Sequence, residues 1–258
     1  MAVKQKKRGM GLRILLCAGL LAILAAMFHA VPELLPYQLP PSPYTAEDFY
    51  LDGDFLACSA AKTSLGIDVS HHQGEIDWQA VADSGVEFAF IRLGYRTLEA
   101  GELKKDDRVE ENLKQAKAAG LQIGAYFYSQ AISEEEARGE AALALQILNS
   151  RELDLPLVFD WELETRNAGM EKELVSRCAI AFCEEVQQAG YQSMVYFNAH
   201  QAENLMDMQL LEDYPWWLAM YDVSGPVPCR MDVWQYTCTG RVPGIKGNVD
   251  NNLMFLKN

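Results

Sequence analysis

The sequence predicts an α/β fold, a distorted TIM-like β/α barrel of about eight strands preceded by one N-terminal membrane helix. Three observations support this prediction. Short apolar runs rich in β-branched and aromatic residues alternate with longer helical patterns from Ser64 onward. The last four predicted strands have no helical pattern between them, so helices are expected to be reduced in the C-terminal part. A continuous apolar stretch near the N-terminus precedes all of these elements.

The composition is that of a folded, acidic protein. Half of the 258 residues are hydrophobic and 22% are charged, as in folded globular proteins. The formal net charge is −14. Five of the 22 basic residues precede Ile14, which leaves 17 basic against 36 acidic residues, or −19, for the remainder. A surface of this charge repels phosphate backbones, so the sequence predicts no nucleic-acid partner.

Residues 1–31 are predicted to be a basic N-terminus followed by a signal anchor. The 18 residues from Ile14 to Val31 contain no Asp, Glu, Lys or Arg, and as a helix they span about 27 Å, close to the hydrocarbon thickness of a bilayer. Cleavage after Ala30 would place Phe28 where a small residue is preferred, so we expect no cleavage. The basic start then stays inside the cell membrane and the rest of the chain lies outside. Cleavage would instead give a secreted protein.

Residues 32–63 are predicted to be a proline-rich linker and an irregular arm. Five of the ten prolines lie between Pro32 and Pro43, which favours an extended, semi-rigid spacer. The aromatic residues that follow, Phe49, Tyr50 and Phe55, are expected to pack on the domain that occupies residues 64–258.

The sequence predicts no metal site and no cofactor. Five cysteines follow the apolar stretch, an odd number that argues against a complete disulfide framework. No paired-cysteine motif or histidine–cysteine cluster suggests metal binding. His71 and His72 follow the first barrel strand and are expected in a loop or beside the substrate. The oligomeric state is left open.

Eight strands and four helices are predicted within the domain. Gly120 and Gly190 end two helices directly before strands, and Ser133 with Glu136 has the form of a capping box. An open doubly wound sheet is the alternative arrangement, but no glycine-rich nucleotide-binding motif follows any strand. The predicted strands are Gly66–Ser70, Glu87–Gly94, Gln122–Ser129, Leu155–Leu163, Gln192–Asn198, Trp216–Tyr221, Asp232–Tyr236 and Val249–Phe255, and the predicted helices are Asp77–Ser84, Asp106–Ala119, Ser133–Asn149 and Met170–Ala189.

The strongest candidate for chemistry is an acidic strand. An apolar run from Leu157 leads directly into Asp160 and Glu162, and alternate residues of a strand project from the same face. Their Cα atoms would lie about 6.6 Å apart. Two carboxylates at this separation suit glycoside hydrolysis, in which one is the general acid and the other stabilises the positive charge that develops on the sugar. Barrel enzymes keep their active sites at the carboxyl ends of the strands.

Two further carboxylates are predicted to join this pair. Asp68 lies in an apolar strand at the start of the domain, and Asp250 lies at the start of its last strand. Closure of a barrel makes its first and last strands neighbours, so these two side chains would meet. Burial of four carboxylates is costly, and such a cluster persists mainly where function requires it.

Aromatic and amide side chains on several strands are candidates for sugar binding. Sugar rings present apolar C–H faces that stack on aromatic rings, while polar neighbours bind the hydroxyls. Aromatic residues at strand spacing are also common in cores. The candidates are Tyr126 and Tyr128 on one strand, Trp217 and Tyr221 on a second, and Trp234 and Gln235 on a third.

A series of short motifs runs through the predicted barrel. They are Gly66-Ile67-Asp68-Val69-Ser70-His71-His72-Gln73-Gly74, Ile76-Asp77-Trp78, Phe90-Ile91-Arg92, Gly124-Ala125-Tyr126, the acidic strand, Gly190-Tyr191, Val195-Tyr196, Trp217-Leu218-Ala219, Trp234-Gln235-Tyr236 and Gly247-Asn248-Val249-Asp250-Asn251-Asn252. In this order they resemble glycoside hydrolase family 25, the lysozymes that cleave bacterial cell-wall glycan.

The resemblance implies a distorted β/α barrel with an acidic groove at the strand ends. It implies that Glu162 is the general acid and that Asp160 stabilises the oxocarbenium-like centre, as nucleophile or by orienting the substrate's N-acetyl group. Asp68 and Asp250 match the remaining acidic residues, and Tyr196 joins the substrate-binding candidates. The implied reaction is retaining hydrolysis of the β-1,4 bond between N-acetylmuramic acid and N-acetylglucosamine in peptidoglycan.

Two other functions are considered. A chitinase-like glycosidase also uses a barrel with an acidic strand, but its longer acidic motif is absent here, since Asp154 and Asp160 are separated by five other residues. A catalytically inactive glycan-binding module on the cell surface would not need to retain all four carboxylates.

Overall fold

The computed structural model describes residues 37–221 and 227–256. The chain divides into two units, Met1–Gln38 and Leu39–Asn258, and every helix and strand reported below lies in the second. Within the described residues, no helix is both long and apolar enough to cross a membrane. The predicted anchor, residues 14–31, lies outside the described part of the chain.

Eleven strands are present in the described residues. All eight predicted strands are present. Three short strands, the first two and the fifth along the chain, were not predicted. The strands are β1 (Phe49–Asp52), β2 (Phe55–Cys58), β3 (Thr63–Val69), β4 (Phe88–Arg96), β5 (Leu103–Lys105), β6 (Gln122–Ser129), β7 (Leu157–Trp161), β8 (Ser193–Asn198), β9 (Trp216–Ala219), β10 (Val233–Gly240) and β11 (Val249–Phe255).

Eight of these strands close a barrel in the order β3-β11-β10-β9-β8-β7-β6-β4, with β4 pairing back to β3. Seven of them are parallel. The eighth, β11, is antiparallel to both of its neighbours. This confirms the predicted α/β barrel of about eight strands. The antiparallel β11 departs from a TIM barrel, in which all eight strands are parallel.

Five α-helices connect the barrel strands in the part of the chain that the structure describes. They are α1 (Trp78–Asp83), α2 (Val109–Ala118), α3 (Glu134–Leu148), α4 (Lys172–Gln188) and α5 (Ala199–Asn204). The Ser133 side chain accepts a hydrogen bond from the amide of Glu136 and caps α3, which is one half of the predicted capping box. The Glu136 carboxylate accepts from the amide of Ile132, one residue before the expected Ser133. The short α5 was not predicted. Within the described residues no helix follows α5, so helices are reduced in the C-terminal part as expected.

The barrel interior is filled by side chains from alternate strand positions. Gly66 and Gly124 leave room for the rings of Phe88 and Phe90, which a Cβ at either glycine would overlap. The interior cluster consists of Phe88, Phe90, Tyr126, Val158, Met194, Tyr196, Trp217, Ala219 and Val233.

The opposite face of each strand packs against helices. Phe127 of β6 and Phe159 of β7 lie beside Phe182 of α4, at ring-centroid distances of 6.4 and 5.4 Å. Since Phe159 faces outward, Val158 and Asp160 face the barrel interior. This alternation brings Asp160 to the carboxyl end of the barrel.

The N-terminal arm is more regular than predicted. β1 and β2 form an antiparallel hairpin around a two-residue turn, in which Gly53 has a φ of 63°, as the first position of such turns requires. The arm packs on the outer side of the barrel. The ring of Phe49 meets Trp234 edge-on at 4.8 Å, and Tyr44 stacks on Phe255 at 4.6 Å. Residues before the predicted boundary at 64 therefore cover part of the barrel.

Candidate active site

A cavity of about 370 Å³ opens at the carboxyl end of the parallel barrel strands. Ten of the eleven residues predicted from the sequence line it. The lining residues are Asp68, Ser70, His72, Gln73, Arg92, Tyr126, Tyr128, Asp160, Glu162, Tyr196, Trp217, Tyr221, Gln235 and Asp250.

Barrel closure brings Asp68 and Asp250 together. The two residues are direct partners in the pairing of β3 with β11. Because β11 is antiparallel, its first residues lie at the same end of the barrel as the last residues of β3. The first and last barrel strands therefore meet as the sequence predicts.

Asp160 and Glu162 approach the cavity from β7 on the opposite side of the barrel from β11. Asp160 is 7% exposed, and its Oδ1 atom has no hydrogen-bond partner among the described residues. Glu162 is half-buried and lies one residue beyond the end of β7 at Trp161. The predicted strand extended to Leu163, so the structure places Glu162 in a loop rather than in the strand.

Burial raises the pKa values of all four carboxyl groups, and the charges of neighbouring carboxylates raise those of Asp68, Asp160 and Glu162 further. Burial first, and then the charges of Glu162 and Asp68, raise the pKa of Asp160 well above its usual value, and Arg92 opposes this shift. Burial, followed by the charges of Glu164 and Asp250, raises the pKa of Glu162. Burial raises the pKa of Asp250 to about 6. Since ionisation of one group disfavours ionisation of the others, the cluster retains protons at pH values where isolated carboxyls are ionised.

Amide side chains hold Asp68 in place, although burial and the charge of Asp250 also raise its pKa well above the usual value. The Asp68 Oδ2 atom accepts hydrogen bonds from Gln235 Nε2 at 2.9 Å and from Asn252 Nδ2 at 2.8 Å. The other end of the Gln235 amide, Oε1, accepts from the hydroxyls of Tyr196 and Tyr221, at 3.1 and 2.9 Å. The two tyrosines thus fix the orientation in which Gln235 donates to Asp68.

Aromatic rings form one wall of the cavity. Trp217 stacks on Phe90 at 4.6 Å and meets Tyr126 and Tyr196 edge-on at 6.3 and 5.1 Å. Its Nε1 atom donates to Asn252 Oδ1 at 2.8 Å. Trp217, Tyr126 and Tyr196 are almost wholly buried, whereas Tyr221 is 52% exposed at the rim of the cavity.

Trp234 is the predicted site residue that does not line the cavity. Gln235 faces the barrel interior, and strand alternation therefore turns its neighbour Trp234 outward. There Trp234 is fully buried against Phe49, and its Nε1 donates to the carbonyl of Met220 at 2.7 Å. The prediction that Trp234 contacts substrate is corrected, because this side chain is part of the outer core.

Sequence reasoning did not select Arg92, Ser70 or Gln73 as site residues. Of these three, Arg92 is the one that brings a positive charge to the cavity. Its Nε donates to the buried Asp106 at 2.8 Å, and the residue lines the cavity. The signal for Arg92 in the sequence was its position inside the apolar run from Phe88 to Leu93 of β4. Of the two adjacent histidines, His72 lines the cavity, and the Nδ1 of His71 lies 3.0 Å from Asp106 Oδ2. In residues 37–221 and 227–256, no group of three or more His, Cys, Asp and Glu side chains is arranged to hold a metal ion.

A carboxylate cluster beside an aromatic wall, at the carboxyl end of barrel strands, is the kind of site that glycoside hydrolases use. A family model for glycosyl hydrolases family 25 matches residues 67–245, which include the end of β3 and six further strands of the barrel in full. The chain belongs to this family.

Individual relatives agree with the family assignment. The chain is 34% identical over 203 residues to the uncharacterized protein YegX of Escherichia coli (strain K12), covering 75% of this chain and 70% of YegX. It is 31% identical over 202 residues to Lysozyme M1 of Streptomyces globisporus, covering 72% and 66% of the two chains. The modular autolysin LytC of Streptococcus pneumoniae, solved with a synthetic peptidoglycan ligand, aligns with a TM-score of 0.64 and 25% identity over 75% of this chain. This chain covers 47% of LytC, less than half of its length.

Proposed function

We propose that this protein is a lysozyme that hydrolyses the β-1,4 bond between N-acetylmuramic acid and N-acetylglucosamine in peptidoglycan, with retention of configuration. The observation that carries the proposal is the convergence of Asp68, Asp160, Glu162 and Asp250 on one cavity at the end of the barrel. Membership of glycosyl hydrolases family 25 supports the reaction class. The name of Lysozyme M1 and the peptidoglycan ligand of LytC support the substrate.

Glu162 is the general acid of the proposed reaction. Its raised pKa, caused by burial and by Glu164 and Asp250, keeps the carboxyl protonated to higher pH, so that it has a proton to give to the glycosidic oxygen. Its position at the mouth of the cavity, beyond the end of β7, leaves the carboxyl room to reach a bound glycan.

Asp160 stabilises the positive charge that develops on the sugar. Its Oδ1 atom accepts no hydrogen bond within the described part of the chain, so it keeps its capacity to interact with the sugar or its N-acetyl group. A carboxylate facing the developing charge stabilises the transition state more than the neutral substrate, which is the condition for raising the rate. The lining residues Tyr126, Tyr128, Tyr196, Trp217, Tyr221 and Gln235 are proposed to bind the glycan.

Release of reducing ends from purified peptidoglycan tests the reaction and the substrate together. We expect turnover on peptidoglycan and none on chitin of comparable chain length. Turnover on chitin alone would favour the chitinase-like alternative. Binding to peptidoglycan without release of reducing ends would identify an inactive glycan-binding module.

Proton NMR of the first-formed sugar tests the role of Asp160. Both forms of that role, nucleophile and partner of the N-acetyl group, give a product with retained anomeric configuration. An inverted product would remove Asp160 from this role. Asp160→Asn should reduce turnover severely while glycan binding survives, since the amide keeps the shape of the side chain but not its charge.

The proposed location is the outer face of the cell membrane, with residues 14–31 as the anchor. The basic start, the 18-residue apolar run and the proline-rich spacer support it. A spacer of this kind would let the barrel reach a glycan layer outside the membrane.

A further inference from the structure

The backbone at Glu162 lies outside the sheet that holds its neighbours. Asp160 pairs with Tyr196 of β8, and Trp161 pairs with Ser129 of β6. Neither register continues to Glu162, which begins the loop between β7 and α4. The hydrogen bonds that fix a strand residue are therefore missing at the residue whose carboxyl needs an accurate position.

Two side-chain amides replace those hydrogen bonds. The carbonyl oxygen of Glu162 accepts from Asn167 Nδ2 at 2.7 Å and from Gln130 Nε2 at 3.0 Å. The amides also bind each other, since Asn167 Nδ2 donates to Gln130 Oε1 at 3.1 Å. Asn167 is 1% exposed and Gln130 is fully buried, so little competing water reaches these bonds.

The Asn167 side chain forms hydrogen bonds to two backbone groups of the loop that carries Glu162. Its Nδ2 group uses one hydrogen for Glu162 and the other for Gln130, and its Oδ1 atom accepts from the amide of Glu164 at 2.7 Å. All the hydrogen-bonding groups of the Asn167 side chain except one lone pair are thereby used. The preceding carbonyl, that of Trp161, accepts from the buried Gln201 of the short helix α5.

We propose that Asn167 and Gln130 are positioning residues, which fix the backbone at Glu162 and thereby the distance from its carboxyl to the glycosidic oxygen. This inference rests on the proposed function of Glu162 as the general acid. Proton transfer requires the donor and acceptor atoms to be within hydrogen-bond reach. A displacement of about 1 Å can cost about 10²-fold in rate, so a loop held by two amides matters for turnover rather than for substrate binding.

The test uses two substrates that differ in their need for a general acid. When a peptidoglycan oligosaccharide is cleaved, the leaving sugar departs as an alcohol, and its bridging oxygen must be protonated. A dinitrophenyl glycoside of the same sugars instead releases a dinitrophenolate anion, which is stable without protonation. Asn167→Asp removes the two Nδ2 donors and keeps the shape and the Oδ1 acceptor. Gln130→Met removes the second donor at similar length and keeps the test available if Asn167→Asp does not fold.

Asn112→Asp is the matched control. Asn112 is 2% exposed on α2, it does not line the cavity, and its Nδ2 has no hydrogen-bond partner among the described residues. The same substitution there buries the same new carboxyl without removing a donor from Glu162. Thermal unfolding of each variant reports the loss of stability separately from the loss of rate.

We expect kcat on the oligosaccharide to fall by about 10- to 10²-fold in Asn167→Asp and Gln130→Met, with KM little changed. On the dinitrophenyl glycoside the comparison uses kcat/KM, which reports the first step alone, because Glu162 would also act as the base when water resolves the intermediate. By this measure the same variants should lose far less on the dinitrophenyl glycoside than on the oligosaccharide. Asn112→Asp should alter both substrates equally. Equal losses on both substrates in Asn167→Asp and Gln130→Met, or wild-type kcat on the oligosaccharide, would overturn the positioning role.

Glu162→Gln on the same two substrates separates this inference from the proposed function. If its activity depends on the leaving group while that of the two amide variants does not, only the positioning role fails. If Glu162→Gln shows no dependence on the leaving group, Glu162 is not the general acid, and the proposed function and this inference fall together.

Discussion

The free-energy cost of burying the carboxylate is smaller for Asp68 than for Asp160, because the two side chains have different hydrogen-bond partners. Asp68 accepts two amide hydrogen bonds through one oxygen, and such bonds offset part of the desolvation of a carboxylate. The Oδ1 atom of Asp160 has no partner within the described residues. A buried carboxylate that lacks a partner in the free protein gains most when a positive charge forms beside it. This difference supports a direct role for Asp160 and a supporting one for Asp68.

Glu162→Gln should abolish hydrolysis of peptidoglycan and leave the fold intact. The amide has the shape of the acid but no proton to give, and general acid catalysis contributes about 10²–10⁴-fold. Release of reducing ends measures the loss. Glu164→Gln makes the same charge change two residues along and should retain turnover near the pH optimum. Since Glu164 contributes, after burial, to the raised pKa of Glu162, its removal should move the basic limb of the pH profile to lower pH. Wild-type turnover in Glu162→Gln would contradict the assignment.

Asp250→Asn should stabilise the protein at neutral pH but not in acid. Burial raises the pKa of Asp250 from 3.8 to about 6 in the folded state. Its contribution to stability is therefore complete below the unfolded pKa and is lost as pH rises through about 6. We expect the variant to have a higher Tm than the wild type at pH values above about 6, and the same Tm well below pH 3.8.

The exposed Asp213 provides the control for Asp250→Asn. Asp213→Asn removes one charge without a buried carboxyl, so any difference in Tm from the wild type should be small at both ends of the pH range. A Tm difference for Asp250→Asn that does not change with pH would contradict the argument from its pKa.

The predictable part of the site follows from strand alternation and barrel closure. Alternation along β7 turns Asp160 toward the cavity, and Asp68 meets Asp250 because the first and last barrel strands pair. The same rule, applied to Trp234 and Gln235, allows only one of the two to face the cavity, and the sequence does not say which. Asn167 and Gln130 could not be predicted, because loop conformation brings their amides to one carbonyl from positions 37 residues apart.

Among the secondary-structure elements, those missed by the sequence analysis are short. β5 has three residues, and α5 has six, too few for a periodic pattern to appear. The hairpin of β1 and β2 left a signal in the turn that contains Gly53 and Asp54, but its four-residue strands carry little alternation. Long periodic elements such as α4 were predicted to within two residues at each end.

Phe49→Ala, a substitution in the N-terminal arm, should lower the stability of the barrel. Phe49 is half-buried, packs edge-on against Trp234 and lies 6.2 Å from the ring of Phe255. Truncation should lower the free energy of unfolding by about 1–3 kcal/mol, less than the ~3–5 kcal/mol typical of a fully buried phenylalanine. Denaturant unfolding measures it. Tyr50→Ala is the control, because Tyr50 is the next residue of β1 and is 52% exposed. Equal losses in the two variants would show that the arm does not stabilise the barrel through Phe49.

Considered as a whole molecule, the chain separates its charges along the sequence. The five basic residues before Ile14 face a remainder with a net charge of −19, counted as 17 basic against 36 acidic residues. An α/β fold with a mostly parallel sheet follows from the alternation of strands and helices, because these elements have few ways to bury their apolar faces. Periodicity alone leaves an open doubly wound sheet as the alternative to the barrel. The antiparallel last strand of the barrel does not follow from periodicity, since the pattern of a strand carries no direction.

The proposed anchor predicts that the protein stays with the membrane fraction. Residues 14–31 form an 18-residue run without Asp, Glu, Lys or Arg, and a charged residue at the centre of a spanning helix costs about 2.5–3.5 kcal/mol. Two such charges one turn apart, in Leu20→Arg/Leu24→Arg, should therefore release the protein from membranes. Leu20→Ile/Leu24→Ile, which keeps the run apolar, should leave it there. Extraction of membranes with alkaline carbonate, followed by detection of the barrel in pellet and supernatant, measures the difference. A wild-type protein recovered from the culture medium with an N-terminus near Val31 would contradict the anchor and identify a secreted enzyme.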